Sequence, residues 1–230
     1  MIPTPQDDPT PAVLDWRGDI PVSRRFEDPY FSLAGGLAET DHVFLQGNRL
    51  AERLCDGFRI AELGFGTGLN LMATAALWGR LGRPGTLRFT SFEAFPMAPG
   101  DLARAHAAFP DLAPISAALA PLWAGRVTEI VACGIHVRLH IGDARVTLPG
   151  WDGQADAWFL DGFSPAKNPE LWSPGLMAEV ARHTAPGGTL ATYTAAGAVR
   201  RALAEAGFAV TRAPGFARKR HMTTGQMPAA

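Results

Sequence analysis

Apolar and polar positions along the chain follow two periods. FRIAEL (58–63) is a short, mostly apolar run with an acid next to its end, GFGTG follows it, and LNLMATAALWGRL (69–81) then sets Leu69, Met72, Ala76 and Leu77 at helical spacing. This reads as strand, glycine loop, helix. TLRFTSFEAF (86–95) predicts a second strand, and APGDLARAHAAF (98–109) a helix. Residues 127–144 predict a strand, a turn at Cys133-Gly134 and another strand ending at Gly142-Asp143. ADAWFLD (155–161) reads as a strand, residues 173–184 as a helix, and GGTLATYTA (187–195) as a strand after the Pro186-Gly187-Gly188 turn. Residues 195–207 supply a helix stopped by Gly207, and residues 208–227 two strands joined by a Pro-Gly turn.

Strands alternating with helices predict an α/β fold, with a parallel sheet covered by helices on both faces and a terminal hairpin adding an antiparallel edge. Ligands in such sheets sit beyond the C-terminal strand ends. That rule selects Glu62, Glu93, Asp143 and Asp161, each an acid at or near a strand end.

Composition narrows the class. With 230 residues, 47% hydrophobic and 19% charged, the chain can bury a core as one large domain, and no window approaches a membrane span. The opening MIPTPQDDPTPAV has no charged-then-apolar leader and reads as a frayed tail, which gives a cytoplasmic expectation with no membrane partner. Cys55 and Cys133 are lone, and read as ordinary buried thiols. His136 and His140 share a strand face without a third ligand, so no metal is expected. Trp78, Trp123 and Trp151 read as core or loop anchors. The net charge of -1 hides an asymmetry: residues 1–161 carry 13 Lys+Arg against 19 Asp+Glu, and residues 162–230 carry 8 against 3. A polyanionic partner would meet the C-terminal third.

The glycine loop lacks the third glycine of a dinucleotide fingerprint, where Leu69 stands, and the lysine of a P-loop. Glu62 to Gly68 instead resembles motif I of Rossmann-like S-adenosylmethionine-dependent methyltransferases. That superfamily places acids like Glu93 on ribose hydroxyls and acids like Asp143 on the adenine amine. In its amine methylases a segment like Asp161-Gly162-Phe163-Ser164-Pro165 faces the methyl group. An amine nucleophile must be neutral to attack, and a lysine-like amine with a pKa of about 10 is mostly protonated at neutral pH. A carboxylate can orient such an amine and take its proton.

WFLDGFSPAKNPELW (158–172) is similar to the signature of the MnmC-type methyltransferase domain, which methylates 5-aminomethyl-2-thiouridine at the tRNA wobble position. The likeness runs through residues 21–32, 36–48, 62–70, 91–106, 186–203 and 215–220, and so covers most of Pro21 to Arg220. It implies a class I methyltransferase fold, with a mostly parallel seven-stranded sheet and an antiparallel C-terminal edge hairpin. The expected organisation is a flexible tail over 1–20, an extension over 21–57 packing near the active site, and a methyltransferase domain over 58–230.

The resemblance also implies that Glu62, Gly64, Phe65, Gly66, Thr67, Gly68, Asn70, Glu93, Asp143 and Asp161 surround S-adenosylmethionine. Asp161 and Phe163 would be catalytic, and Lys167 and Asn168 would hold the substrate. Arg200, Arg218, Lys219 and Arg220 would meet the phosphates of a tRNA anticodon loop, with Arg24, Arg25, Arg201 and Arg212 as weaker additions. The bifunctional members continue into a flavin-dependent oxidase, whereas this sequence ends at Ala230. Methyl transfer alone is therefore expected, with a separate oxidase or upstream enzyme supplying the aminomethyl substrate. Two alternatives stand beside it: an N-methyltransferase of a small-molecule or protein amine, and a non-catalytic RNA-binding module. The second would be marked by loss of the glycine loop or the strand-end acids, both of which the chain keeps.

Overall fold

The computed structural model describes residues 11–229. Near its start, β1 (Leu14–Arg17), β2 (Ile20–Ser23) and β3 (Asp28–Pro29) form a small antiparallel sheet. The central strands are β4 (Arg59–Leu63), β5 (Leu87–Glu93), β6 (Glu129–Ala132), β7 (Ile135–Ile141), β8 (Ala155–Leu160), β9 (Thr184–Thr192), β10 (Ala209–Pro214) and β11 (His221–Gln226). They lie in the order β10-β11-β9-β8-β4-β5-β7-β6. Strands β9, β8, β4, β5 and β7 run parallel, while β6, β11 and β10 are antiparallel to their neighbours.

The central strands are apolar on both faces because each face is covered. On one side, Ile60, Phe89 and Phe159 pack with Leu71, Met72 and Ala75 of the helix Leu69–Leu81 and with Val43 and Phe44. On the other, Ala61, Trp158 and Leu160 pack with Leu176 and Val180 of the helix Pro174–Arg182 and with Val199 and Leu203 of the helix Gly197–Glu205. Alternate residues of one strand therefore serve two cores.

The sheet has eight strands where seven were expected. The count of seven came with the resemblance, whereas the hairpin read from residues 127–144 is present: β6 folds back on β7 because Cys133 and Gly134 both take positive φ (52° and 71°), the geometry of a tight two-residue turn. Of the flexible tail expected over 1–20, residues 1–10 lie outside the described residues, and within the rest Leu14–Arg17 pairs with Ile20–Ser23. Strand β9 starts at Thr184 rather than Gly187. Ala155 pairs with Thr184 and Ala157 with Thr189, so the Pro186-Gly187-Gly188 segment is a bulge within the strand. Cys55 is exposed rather than buried, because it lies just past the short helix Leu50–Arg53; Cys133 is half-buried.

No helix among the described residues is long and apolar enough to cross a membrane. No group of three or more His, Cys, Asp or Glu among them could hold a metal ion.

Candidate active site

A cleft of about 930 Å³ opens at the C-terminal ends of the parallel strands, between the glycine loop, the segment after β8, residues 25–40 and the loop between β10 and β11. Its volume lies within the roughly 300–1,000 Å³ of small-molecule sites. The glycine loop forms because Gly64, Gly66 and Gly68 all take positive φ, of 83°, 56° and 73°. At Gly64 a Cβ would sit 3.1 Å from the Asp161 carbonyl oxygen and the Gly162 Cα, so the ends of β4 and β8 meet with only backbone between them. Gly64, Phe65, Gly66, Thr67 and Asn70 line the cleft.

Gly68 and Glu62 do not line it. Gly68 begins the helix Leu69–Leu81 in a left-handed conformation, with the Trp123 ring against it. Glu62 is fully buried beneath the loop, where its carboxylate accepts from Asn70 Nδ2 (2.9 Å) and Ser91 Oγ (2.6 Å). Burial pushes its pKa well up, against those two hydrogen bonds.

Asn70 joins the site's acids. Its Nδ2 also donates to Asp161 Oδ2 at 2.9 Å, and its Oδ1 accepts from Thr40 Oγ1 at 2.9 Å. The Asp161 Oδ1 accepts from the Gly162 N–H at 2.8 Å. Burial pushes the Asp161 pKa up to about 6, while the bonds from Gly162 and Asn70 hold it down. Asp161 is thus a cleft-lining carboxylate with both oxygens oriented and a proton affinity near neutrality.

Glu93 ties the second strand to the loop: Oε2 accepts from the Gly66 N–H and Oε1 from the Phe95 N–H, each at 2.8 Å. Burial raises its pKa and these N–H groups oppose the rise. Asp143 lines the cleft and also caps the helix Ala144–Thr147, accepting from the Arg145 backbone N–H at 2.9 Å and from the Arg145 guanidinium. The guanidinium beside it holds its carboxyl below the usual range.

Phe163 lines the cleft but is already stacked on Phe26, with ring centroids 4.7 Å apart at 25°, and it meets Tyr30 nearly at right angles. These partners belong to a strap, residues 24–33, that crosses the cleft. Asp28 Oδ2 accepts the Ser164 N–H at 2.9 Å, and Tyr30 rests against Gly66. Lys167 does not line the cleft. Its ammonium donates to the Glu27 carbonyl and approaches Asp28, tying the segment after β8 to the strap.

Asn168, Arg218 and Lys219 do line the cleft, whereas Arg200 and Arg220 do not. Arg200 lies on the helix Gly197–Glu205 with its Nε buried and unbonded, and the Arg220 carbonyl accepts from the Gly215 N–H within its own loop. His136 pairs with Glu129, and His140 stacks on Phe92 at 4.9 Å.

Sequence reasoning passed over Glu39, Thr40, Ser91, Asp28 and Tyr193. Ser91 carried a signal, as a small polar residue on the face of an apolar strand with Phe89 and Glu93. The others come to the cleft from distant segments and carried none.

The C-terminal half of the chain, residues 112–228, matches the profile of a family described as S-adenosyl-L-methionine-dependent methyltransferase. The chain is 51% identical over 226 residues to the tRNA 5-methylaminomethyl-2-thiouridine biosynthesis bifunctional protein MnmC of Pseudomonas aeruginosa PAO1, covering 93% of this chain and 35% of that protein. It is 46% identical to the protein of the same name from Hahella chejuensis, over 93% of this chain and 36% of that one. The chain thus spans about a third of the length of these relatives. In fold it is similar to the crystal structure of MNMC2 from Aquifex aeolicus, with a TM-score of 0.76 and 26% identity over 98% of this chain and 73% of that chain. Together with a profile match over more than half its length, the glycine loop and the strand-end acids Glu93, Asp143 and Asp161 in one cleft place this chain in the S-adenosyl-L-methionine-dependent methyltransferase family.

Proposed function

We propose that the chain methylates the primary amine of 5-aminomethyl-2-thiouridine at the tRNA wobble position, giving the 5-methylaminomethyl product. The observation that carries this reading is Asp161: a carboxylate in the cleft, beside the glycine loop, with each oxygen oriented by an N–H donor. The 51% identity over 93% of this chain to the MnmC protein of Pseudomonas aeruginosa supports the choice of substrate.

The residues fit the cofactor. Three positive-φ glycines let the backbone approach a ligand, and Glu93, whose oxygens each accept one backbone N–H, keeps lone pairs for its hydroxyl donors, whereas Asp143 would take its amino donor only by giving up part of its pairing with Arg145. Gly64, Phe65, Gly66, Thr67 and Asn70 would border it. S-adenosylmethionine, when bound, supplies an electrophilic methyl group. Glu62 and Gly68 would act from beneath, the first by fixing Asn70 and the second by starting the helix.

Asp161 would hold the amine by hydrogen bonds, aim its lone pair and accept the proton lost as the new N–C bond forms. Its raised pKa suits that role, because a carboxylate near 6 takes a proton more readily than one near 4. Phe163, held by Phe26 and Tyr30, would form a wall of the cleft. Asn168, Arg218 and Lys219 would face the RNA, while Lys167 would position the strap. A stacked base could not reach Asp161, so the wobble nucleotide would enter splayed out. A tRNA substrate also carries the cytoplasmic setting expected from the sequence.

Asp161→Ala is expected to lower methylation by roughly two to four orders of magnitude, the range of general acid–base assistance. Cofactor affinity should change by no more than about tenfold, the scale of one lost hydrogen bond. Mass spectrometry of nucleosides from undermodified tRNA reads the first, and calorimetry the second. Wild-type protein that labels a protein or small amine but leaves the tRNA unmodified would overturn the substrate.

A further inference from the structure

Lys219 stands in the loop between β10 and β11, and its ammonium is held by groups from the far end of the chain. Nζ donates to Glu39 Oε1 at 2.8 Å and lies 4.0 Å from the centroid of the Tyr193 ring. Glu39 sits on the helix Gly36–Thr40, with its side chain only 13% exposed. The Tyr193 ring is fixed in turn, because its hydroxyl donates to the Gly162 carbonyl at 2.8 Å, one residue from Asp161. Thr40, next to Glu39, begins the chain of hydrogen bonds that reaches Asp161 through Asn70. Glu39, Tyr193, Lys219 and Asp161 all line the cleft, and the charges of both Glu39 and Lys219 are felt at Asp161.

We propose that Glu39 and the face of Tyr193 form a binding site for a primary alkylammonium beside Asp161, filled here by the chain's own Lys219 and taken over by an incoming amine when that side chain withdraws. A shielded carboxylate opposite an aromatic face is the pairing that recognises such a cation. The resident side chain is removable. It is 44% exposed, it makes one ion pair, and it rides on a loop closed by only two backbone hydrogen bonds, Gly215 N–H to the Arg220 carbonyl and Lys219 N–H to the Phe216 carbonyl. The site itself stands on this geometry. Its use by the substrate rests on the function proposed above, and there it confers selectivity: an amine bearing a carboxymethyl group would bring a third carboxylate against Glu39 and Asp161 and be rejected.

The chain has two tyrosines, Tyr30 and Tyr193, so ring labelling gives one reporter at the site and one on the strap. Ethylammonium chloride titrated into Lys219→Ala should shift the Tyr193 resonance saturably, with sodium chloride at equal ionic strength as control. Native protein should bind it at least about tenfold more weakly, and Lys219→Ala with Glu39→Gln should lose at least about tenfold, the scale of one charge-assisted bond. Lys219→Gln, which keeps the aliphatic stem, serves if the alanine variant does not fold. No saturable Tyr193 shift in the lysine variant, or an unchanged one after Glu39→Gln, would overturn the site.

A second arm compares anticodon stem-loops bearing the aminomethyl group with or without a carboxymethyl substituent. Native protein should bind the unsubstituted RNA more tightly, and Glu39→Gln should narrow that ratio. Failure of native protein to methylate either RNA overturns the substrate while the ethylammonium titration still decides the site.

Discussion

Asp161 shows how one side chain links function to stability. Its folded pKa of about 6 lies above its ordinary 3.8, so between those values the folded protein holds a proton that the unfolded chain has released. Stability from this group is present at low pH and is lost as pH rises from about 4 through 6. At neutral pH the ionised carboxylate costs up to about 3 kcal/mol, less because the group opens onto the cleft. Relative to native protein, the melting temperature of Asp161→Asn should therefore rise between pH 4 and pH 7.5, over a pH-independent cost from its amide NH2 facing the Gly162 or Asn70 N–H, as thermal melts would show. The same titration should place an acid limb with a midpoint near 6 in the pH dependence of kcat/KM for methylation. Below it the carboxylate is protonated and no longer accepts the amine's proton. A native profile flat from pH 5 to 7, or an asparagine variant whose stability relative to native does not rise between pH 4 and pH 7.5, would contradict this account of Asp161.

At the scale of the element, the helix Leu69–Leu81 is set at its start by a glycine that cannot be replaced and crossed near its end by one that can. Gly68 has φ +73°, and a Cβ there would lie 2.8 Å from the Trp123 ring. That ring is held by its own hydrogen bond to the Ser116 carbonyl and by stacking on Phe65. Gly68→Ala should cost about 2–4 kcal/mol, combining left-handed strain with overpacking. Gly79, with nothing near its missing Cβ, should instead gain about 0.5–1 kcal/mol on Gly79→Ala. Chemical denaturation of the two variants tests the pair, and equal effects would refute the distinction.

The same helix marks what was legible in the chain. Its ends, and the strand and glycine loop before it, could be read locally, because period and punctuation there agree. For the strap, a place near the site was expected from the resemblance, but its contacts were not legible: they depend on Asp28 meeting the Ser164 N–H and on Phe26 meeting Phe163, across more than 130 residues. Asp143 is legible as a strand-end acid but not as the partner of Arg145, and Lys167 reads as a substrate tether in the sequence whereas its ammonium donates to the Glu27 carbonyl. Spacing identifies which groups reach the end of a sheet, and only packing decides which of them are already engaged.

For the whole molecule, the weak net charge of -1 conceals a division that the fold turns into geometry. The acidic excess of residues 1–161 includes Glu39, Glu62 and Glu93, in or beneath the cleft, while the basic excess of residues 162–230 supplies Arg218 and Lys219 at its edge, joined there by Arg25 from the strap. An anionic backbone would thus meet cations at the rim while the amine meets carboxylates inside. Each phosphate neutralised by such a cation releases counterions, so the affinity for an anticodon stem-loop should fall linearly in log–log form with salt. Arg218→Ala should reduce the magnitude of that slope by about 0.7, the increment for one contact to single-stranded nucleic acid. Arg200→Ala, on a helix that does not line the cleft, should leave the slope unchanged. Fluorescence anisotropy over a series of salt concentrations measures both. If Arg200 carried the salt dependence and Arg218 did not, the RNA would have to approach across the helix Gly197–Glu205 instead, and the cleft would not be where its phosphates are held.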